Sequence, residues 1–409
     1  MIYYCKMLAV ICVAVFYTYV PGYVAKMPGS EKVAPWLWVV GFIVISLPWL
    51  IRQVLRTNIL KSPLLIWCFG YAWLTVAWFF LSSQSDMAWQ EVRYRFLAIV
   101  ELLVFLALFT NPDAARLARQ TLVVGVLFGV ALNIYELFVP MSFSQFIGRS
   151  AGLYLHPNLA GEALVLGMIF SVTVLPSWLR GPFILLTGIG ILTTFSRGSI
   201  LAWVIAVTGF IFQGRISLKD MFLSISMSLL LVVLVLLPRW DQLLTTLERS
   251  GVINKNVEER MEWLTNPSGV SDSSSLDRQQ LARRAWEKVA DRPYLGSGTG
   301  SSREAFTEAH NQYLAFMQDH GFLGAAVLPL LVLAVGWGVR GESRGMAMVF
   351  GCTAMELSLF THNFLNEEYS LMLFALMAAM TLTSRESEIK RTQVMTAEEV
   401  NAAKALVGF

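Results

Sequence analysis

Apolar residues dominate the chain in runs of roughly 15 to 20, each closed by a short polar stretch or a Pro/Gly break. That length suits a helix crossing the hydrocarbon core of a bilayer, where each backbone donor must find its acceptor within its own segment. A membrane β-barrel would instead alternate apolar and polar residues over stretches of about ten, and no such alternation is present. The pattern predicts about twelve spans, at residues 3–21, 35–51, 63–82, 94–110, 120–139, 158–176, 182–195, 199–213, 221–238, 322–338, 345–364 and 368–383. The seventh and eighth are short and flank Ser196-Arg197-Gly198, so they could instead form one broken or re-entrant unit.

One long polar segment interrupts this series, between spans nine and ten at 239–320, and it carries helical signals of its own. Trp240 to Arg249 and Val257 to Leu264 place apolar residues at helical spacing, while Asn266 to Gly269 and Ser271 to Ser275 read as loop. From Ser275, a candidate N-cap, a helix should run through Ala290 and stop before Pro293. Pro293 to Gly300 then forms a turn whose glycines serve either a tight connection or the close approach of backbone amides to a ligand. A helix from Arg303 to His320, ended by Gly321, would set Phe306, His310, Tyr313 and Met317 on one face. The chain thus divides into spans one to nine (1–238), a loop domain (239–320), spans ten to twelve (321–383) and a tail (384–409).

Composition fits this reading: 56% of the residues are hydrophobic and 14% charged, against roughly 25% charged in a soluble domain. The fold class is therefore an all-α polytopic membrane protein with one large, mainly helical loop. The net charge of +3 is spread along the chain and forms no basic stripe, so nucleic acid is not an expected partner; membrane lipids are. Cys5, Cys12, Cys68 and Cys352 lie in apolar runs and show neither disulfide nor zinc spacing.

Charge sets the orientation, because cytoplasmic loops retain Lys and Arg. With the N-terminus inside, the inner connections and tails hold Arg52, Arg56, Lys61, Arg116, Arg119, Arg180, Arg215, Lys219, Arg340 and Arg344, with Lys6, Arg385, Lys390, Arg391 and Lys404. The short outer loops hold only Lys26, Lys32, Arg93, Arg95, Arg149 and Arg197. Both termini are expected in the cytoplasm and the long segment on the other side. The first span lacks a small-residue cleavage site and reads as retained.

His310-Asn311, nine residues, and Gly321-Phe-Leu-Gly324 form a string that resembles the signature of bacterial O-antigen ligases, at the end of the large loop where that family has it. Other pieces are similar to the wider superfamily of ligases, O-antigen polymerases and protein O-oligosaccharyltransferases. These are Gly148-Arg149-Ser-Ala-Gly152 with His156-Pro157-Asn158, then Phe195 to Gly198, then Asp277-Arg278 with Pro293 and Gly296 to Gly298. Two departures stand out: Ala282 occupies a position where the superfamily often has Trp, with Trp286 one turn later, and the glycine turn carries an extra glycine, Gly300.

The resemblance implies a GT-C-like glycosyltransferase in the bacterial inner membrane with a periplasmic site. It would move O-antigen from undecaprenyl diphosphate to a hydroxyl of the lipid A-core oligosaccharide, without metal or cofactor. Neutral imidazole makes His310 the candidate base, against the alternative of a histidine capping or packing a helix end. Arg149, Arg197 and Arg278 are candidates for holding the diphosphate, since guanidinium stays charged and grips phosphate bidentately; in short loops they could instead snorkel to the interface. His156, Asn158 and Asn311 are possible substrate contacts, with helix capping the alternative for Asn158. His362-Asn363 and Glu367-Glu368 either line the acceptor side or form a solvated turn. No Asp-x-Asp occurs, which argues against paired carboxylates holding a metal for a nucleotide sugar. The alternatives are a polymerase or protein O-oligosaccharyltransferase of the same superfamily and, more remotely, a secondary transporter, against which the lack of two equivalent halves speaks.

Overall fold

Short polar residues followed by proline mark where many of the helices begin, because proline at the first helical position lacks only a donor that would have no partner there. In the computed structural model, which describes residues 1–27, 29, 33–54, 58–231, 273–304, 310–361 and 363–407, Ser62 caps Pro63–Phe79 by accepting from the Leu64 amide at 3.3 Å. Asn111 caps Pro112–Phe138 through the amides of Asp113 (3.1 Å) and Ala114 (3.0 Å). His156 caps Pro157–Val172 in the same manner, its Nδ1 accepting from Asn158 N at 3.2 Å.

All regular structure among the described residues is helical. In chain order it comprises α1 (Ile2–Cys12, continued by a π-helical turn Val13–Tyr17), α2 (Val20–Ala25), α3 (Pro35–Val54), α4 (Pro63–Phe79), α5 (Asp86–Phe109) and α6 (Pro112–Phe138). Then follow α7 (Pro157–Val172), α8 (Ser177–Leu192), α9 (Arg197–Phe212), α10 (Leu218–Leu231), α11 (Ser273–Asp291) and α12 (Ser301–Glu304). The last are α13 (Gln312–His320), α14 (Val327–Gly336), α15 (Glu342–Leu357) and α16 (Glu368–Val407).

The bundle is built around α7 and the first turns of α16, which are buried on nearly every side; α5 pairs along α16, α6 with α7, and α9 with α15. Lipid removes the hydrophobic drive between helices, so close packing and interhelical hydrogen bonds must hold them. Gly167 lets the Tyr17 ring lie against α7, where the hydroxyl donates to Ala163 O at 2.9 Å. Asn133 donates to Gly190 O (3.1 Å), and Tyr369 donates to Glu162 Oε2 (3.0 Å), each inside the bundle. Outward faces are apolar and open, as at Ile66, Phe69, Trp178 and Phe212.

Among the described residues three helical stretches are long and apolar enough to cross a bilayer, Pro35–Gln53, Pro112–Phe138 and Gln312–Gly336, and further apolar helices of 10–17 residues accompany them. With those outward faces, the chain is a membrane protein, all-helical among the described residues. Helical residues lie in each expected span where it is described, the first interrupted at Thr18–Tyr19 and the tenth opening as a 3-10 turn at Gly321–Ala326; the seventh and eighth are separate helices with a break at Thr193–Ser196.

Three expectations change. Arg95, assigned to an outer loop, lies inside α5 and is 1% exposed. Ser275 lies within α11, which begins at Ser273. The helix expected over Arg303–His320 is two pieces: α13 starts at Gln312, so His310 precedes it and does not share its face, while Phe306 lies outside the described residues. The segments Trp240 to Arg249, Val257 to Leu264 and Asn266 to Gly269, with His362, also lie outside them. Beyond residue 383, where a tail was expected, the backbone of α16 continues helical without a break.

A Cβ on Gly167 would lie 2.0 Å from the Tyr17 hydroxyl oxygen, whereas one on Gly41 would meet nothing within 4 Å. Gly167→Ala should therefore lower stability by about 1–3 kcal/mol. Gly41→Ala should leave it unchanged or slightly raised, since alanine is the better helix former. Thermal unfolding midpoints of the detergent-solubilised variants check both signs.

Candidate functional site

The break between α8 and α9, the loop before α7, the segment before α13 and the glycine turn all lie at one end of the bundle. The loop after α6 is shaped by Glu136, whose carboxylate accepts backbone amides from both sides of it: Phe143 N (2.9 Å) and Ser144 N on Oε1, Ala151 N (2.7 Å) and Gly152 N (3.1 Å) on Oε2. A carboxylate that satisfies four otherwise unpaired amides fixes the loop's path. Arg149 is thereby turned inward, 6% exposed, its Nε donating to Thr194 O (3.0 Å) and Nη2 to Asn158 Oδ1 (2.9 Å), with the guanidinium 5.8 Å from the Phe146 ring. The His156 ring packs edge-on against Phe146 at 5.0 Å. The α7 cap is thus His156, and the Asn158 side chain holds Arg149 rather than closing the helix.

Ser150 N donates to Thr193 O (3.0 Å), which brings this loop against the α8–α9 break. There Phe195 adopts φ 48°, a left-handed conformation unusual for a side-chain-bearing residue. Arg197 follows as the first residue of α9. A cation at a helix N-terminus opposes the macrodipole, so helix stability alone gives no reason for an arginine there.

On the far side, a Cβ on Gly198 would lie 2.8 Å from the Phe360 ring, and Ser358 O, at the end of α15, accepts from Gln312 N (2.8 Å). Asn311 caps α13, its Oδ1 accepting from Leu314 N at 3.1 Å. Gln312 Oε1 accepts from Phe364 N (2.9 Å). The segment that carries the half-buried His310 therefore reaches, through Gln312, the same Ser358–Phe360 corner against which the Arg197–Gly198 end of α9 packs. Arg278 is carried on α11, which packs along α13 through the buried Ala285 and Val289; its side chain is half-buried, and burial draws its pKa below the ordinary arginine value.

The other end of α13 is held by a buried ionic cluster absent from the sequence reading. Arg95 donates Nε to Glu91 Oε1 (2.9 Å), Nη2 to Asp319 Oδ2, and Nη1 to His320 Nε2 (2.5 Å). A histidine accepting at Nε2 carries its remaining proton on Nδ1. Arg303 Nε adds a bond to Glu91 Oε2. The glycine turn closes over this cluster: Gly300 N (3.1 Å) and Ser302 N (3.0 Å) donate to the Asp319 carboxylate, as does Ser301 Oγ (3.0 Å), and Gly298 N donates to Asp319 O (3.0 Å). Of the two roles open to this turn, the tight connection is the one seen: its amides approach a residue of the chain itself. Gly298 has φ 95°, and a Cβ there would lie 2.4 Å from the Ser82 backbone, so only glycine fits.

A cavity of about 490 Å³ opens on the opposite flank of Arg303, lined by Tyr19, Trp36, Tyr94, Glu101, Asn363, Asn366, Glu367 and Glu368 among others. Glu367, expected either on the acceptor side or in a solvated turn, is 8% exposed, and burial with the neighbouring Glu368 pushes its pKa up to about 8.

The fold and site together define an all-helical membrane protein that gathers arginines, a histidine and buried carboxylates at one end of its bundle. Residues 182–328 match the family model described as O-antigen ligase, which identifies this stretch as an O-antigen ligase family domain, within the superfamily of ligases and polymerases. The match includes Arg197, Arg278, His310 and Asn311, and it begins after Arg149, His156 and Asn158. No curated protein matches the chain. Of the functional candidates, spacing had marked neither Glu136 nor Asp319; the one available signal was Glu91 and Arg95 at i,i+4 within a largely apolar helix.

Arg95→Met would leave Glu91 and Asp319 short of their shared cation. Removing one partner of a buried pair costs about 3–5 kcal/mol. The expected result is a lowered unfolding midpoint in detergent, with proteolytic nicking appearing first around 293–304, where the turn loses its anchor; limited proteolysis with mass spectrometry locates the cut.

Proposed function

We propose that the protein is an O-antigen ligase: a glycosyltransferase of the bacterial inner membrane that moves O-antigen from undecaprenyl diphosphate to a hydroxyl of lipid A-core on the periplasmic side. The observation that supports this best is the shared corner at Ser358–Phe360, where the segment carrying His310 and the helix end carrying Arg197 meet. The family match over both residues agrees with it.

In this reading His310 takes the proton of the acceptor hydroxyl as its oxygen attacks the anomeric carbon. The bond from that carbon to the diphosphate breaks, and its electron pair leaves with the diphosphate oxygen. Attack from the face opposite the leaving group inverts the centre. Arg149, Arg197 and Arg278 hold the developing phosphate charge, the task for which guanidinium is suited. The unfavourable dipole at Arg197 is offset when an anion sits there, because the α9 N-terminus and the guanidinium then attract the same group. Asn158 holds Arg149 in place, His156 flanks it through Phe146, and Asn311 starts the helix behind His310. The charge on the leaving group is met by arginine and no divalent metal is required.

A polymerase of the same superfamily would share the arginines and differ in its acceptor. Deleting the gene separates the two: rough lipopolysaccharide follows loss of a ligase, single-repeat lipopolysaccharide loss of a polymerase. Transfer by purified protein from lipid-linked glycan to lipid A-core should persist in a metal chelator. His310→Ala should lower turnover by at least about a hundredfold while donor binding stays within about twofold. Arg197→Ala should raise the donor KM about tenfold or more. Near wild-type turnover by His310→Ala would remove the base assignment.

A further inference from the structure

The mechanism above uses none of the carboxylates in the cavity between α1–α3, α5 and α16. Glu101 is the deepest of them, on α5 about 9 Å below Arg95 at 1.5 Å per residue. It is 2% exposed, lines the cavity, and its Oε2 has no hydrogen-bond partner among the described residues. Leaving such a group buried and unbonded is costly, so one that persists calls for a ligand or an ordered solvent partner. Glu367 and Glu368 stand close enough to feel its charge. Arg303 does not neutralise it: that guanidinium bonds to Glu91, lies 5.3 Å from the Tyr94 ring centre and reaches Asn363 Oδ1 at 3.4 Å.

Carboxyl and carboxamide groups beside the rings of Tyr19, Trp36 and Tyr94 suit a ligand with many hydroxyl donors and apolar C–H surface. A divalent cation would need its oxygen ligands converging within about 2–2.6 Å of one point. No group of three or more His, Cys, Asp or Glu among the described residues has that arrangement, and a cation would give the rings no part. The volume of about 490 Å³ lies in the range of small-molecule sites.

The cavity's place indicates which sugar. Arg303 and Asn363 form its wall; the first belongs to α12, just ahead of His310 in sequence, and the second precedes Phe364, whose amide bonds Gln312. The His310 segment is thus tied on one side to the corner shared with Arg197 and on the other to this cavity, as a base between leaving group and acceptor should be. We propose that the cavity is a saccharide subsite for a sugar residue of the acceptor glycolipid, with Glu101 as its deepest hydroxyl acceptor. This rests on the ligase reading.

The test uses the full chain in detergent and core oligosaccharide freed from its lipid, with binding followed by calorimetry. Wild type should bind it saturably. Glu101→Gln, which keeps the shape but replaces one carboxyl oxygen with an NH2 donor, should weaken binding about tenfold. Trp36→Ala, a half-exposed ring whose loss leaves the bundle intact, should do the same. In the transfer assay both should raise the acceptor KM by a similar factor with the donor KM unchanged. Oligosaccharide binding that depends on Glu101 without any glycan transfer would sustain the subsite and remove the ligase reading. Transfer by wild type with acceptor KM within twofold in both variants would overturn the subsite alone. So would saturable magnesium binding lost in Glu101→Gln without oligosaccharide binding.

Discussion

Arg95 is the constraint on which the arrangement depends. Its guanidinium is buried inside the bundle and joins α5 to the end of α13 and, through Asp319, to the glycine turn. Two arginines and two carboxylates make the Arg95–Arg303–Glu91–Asp319 cluster neutral as a whole, which is how ionised groups survive where water is excluded. Because α13 is anchored at its far end by this cluster and at its start by Asn311 and Gln312, His310 enters a helix that is fixed at both ends.

The membrane-facing half of the site has an independent support. Glu136 gathers four amides and so sets the loop that turns Arg149 toward Thr194 and Asn158. The two halves meet through the packing of Gly198 on Phe360 and the hydrogen bond from Gln312 to Ser358.

The helices were legible because runs near the length of a bilayer carry their own signal, and proline with Ser or Asn placed several of their starts. His310 and Arg197 were singled out because they stand in strings of ordered spacing. The ionic cluster was not, since Arg95 and Asp319 are 224 positions apart and sequence spacing says nothing of such pairs. Arg95 was read as a loop residue because charge in an apolar chain normally marks an end of a span, a rule that fails when a partner waits inside. The acidic cavity escaped for the same reason: Glu101 and Glu367 come together only through the pairing of α5 with α16. Splitting the expected 303–320 helix needed knowledge of Asn311, whose side chain caps a new start instead of continuing an old one.

The central claim is that one site is shared by the loops around Arg149 and Arg197 and by the segment at His310. Photo-crosslinking with a lipid-linked donor carrying its reactive group beside the diphosphate, followed by peptide mapping, tests it most directly. The account predicts adducts both within 146–158 or 193–199 and within 310–314. Adducts confined to one of these regions, or falling along the outer faces of the bundle, would contradict it.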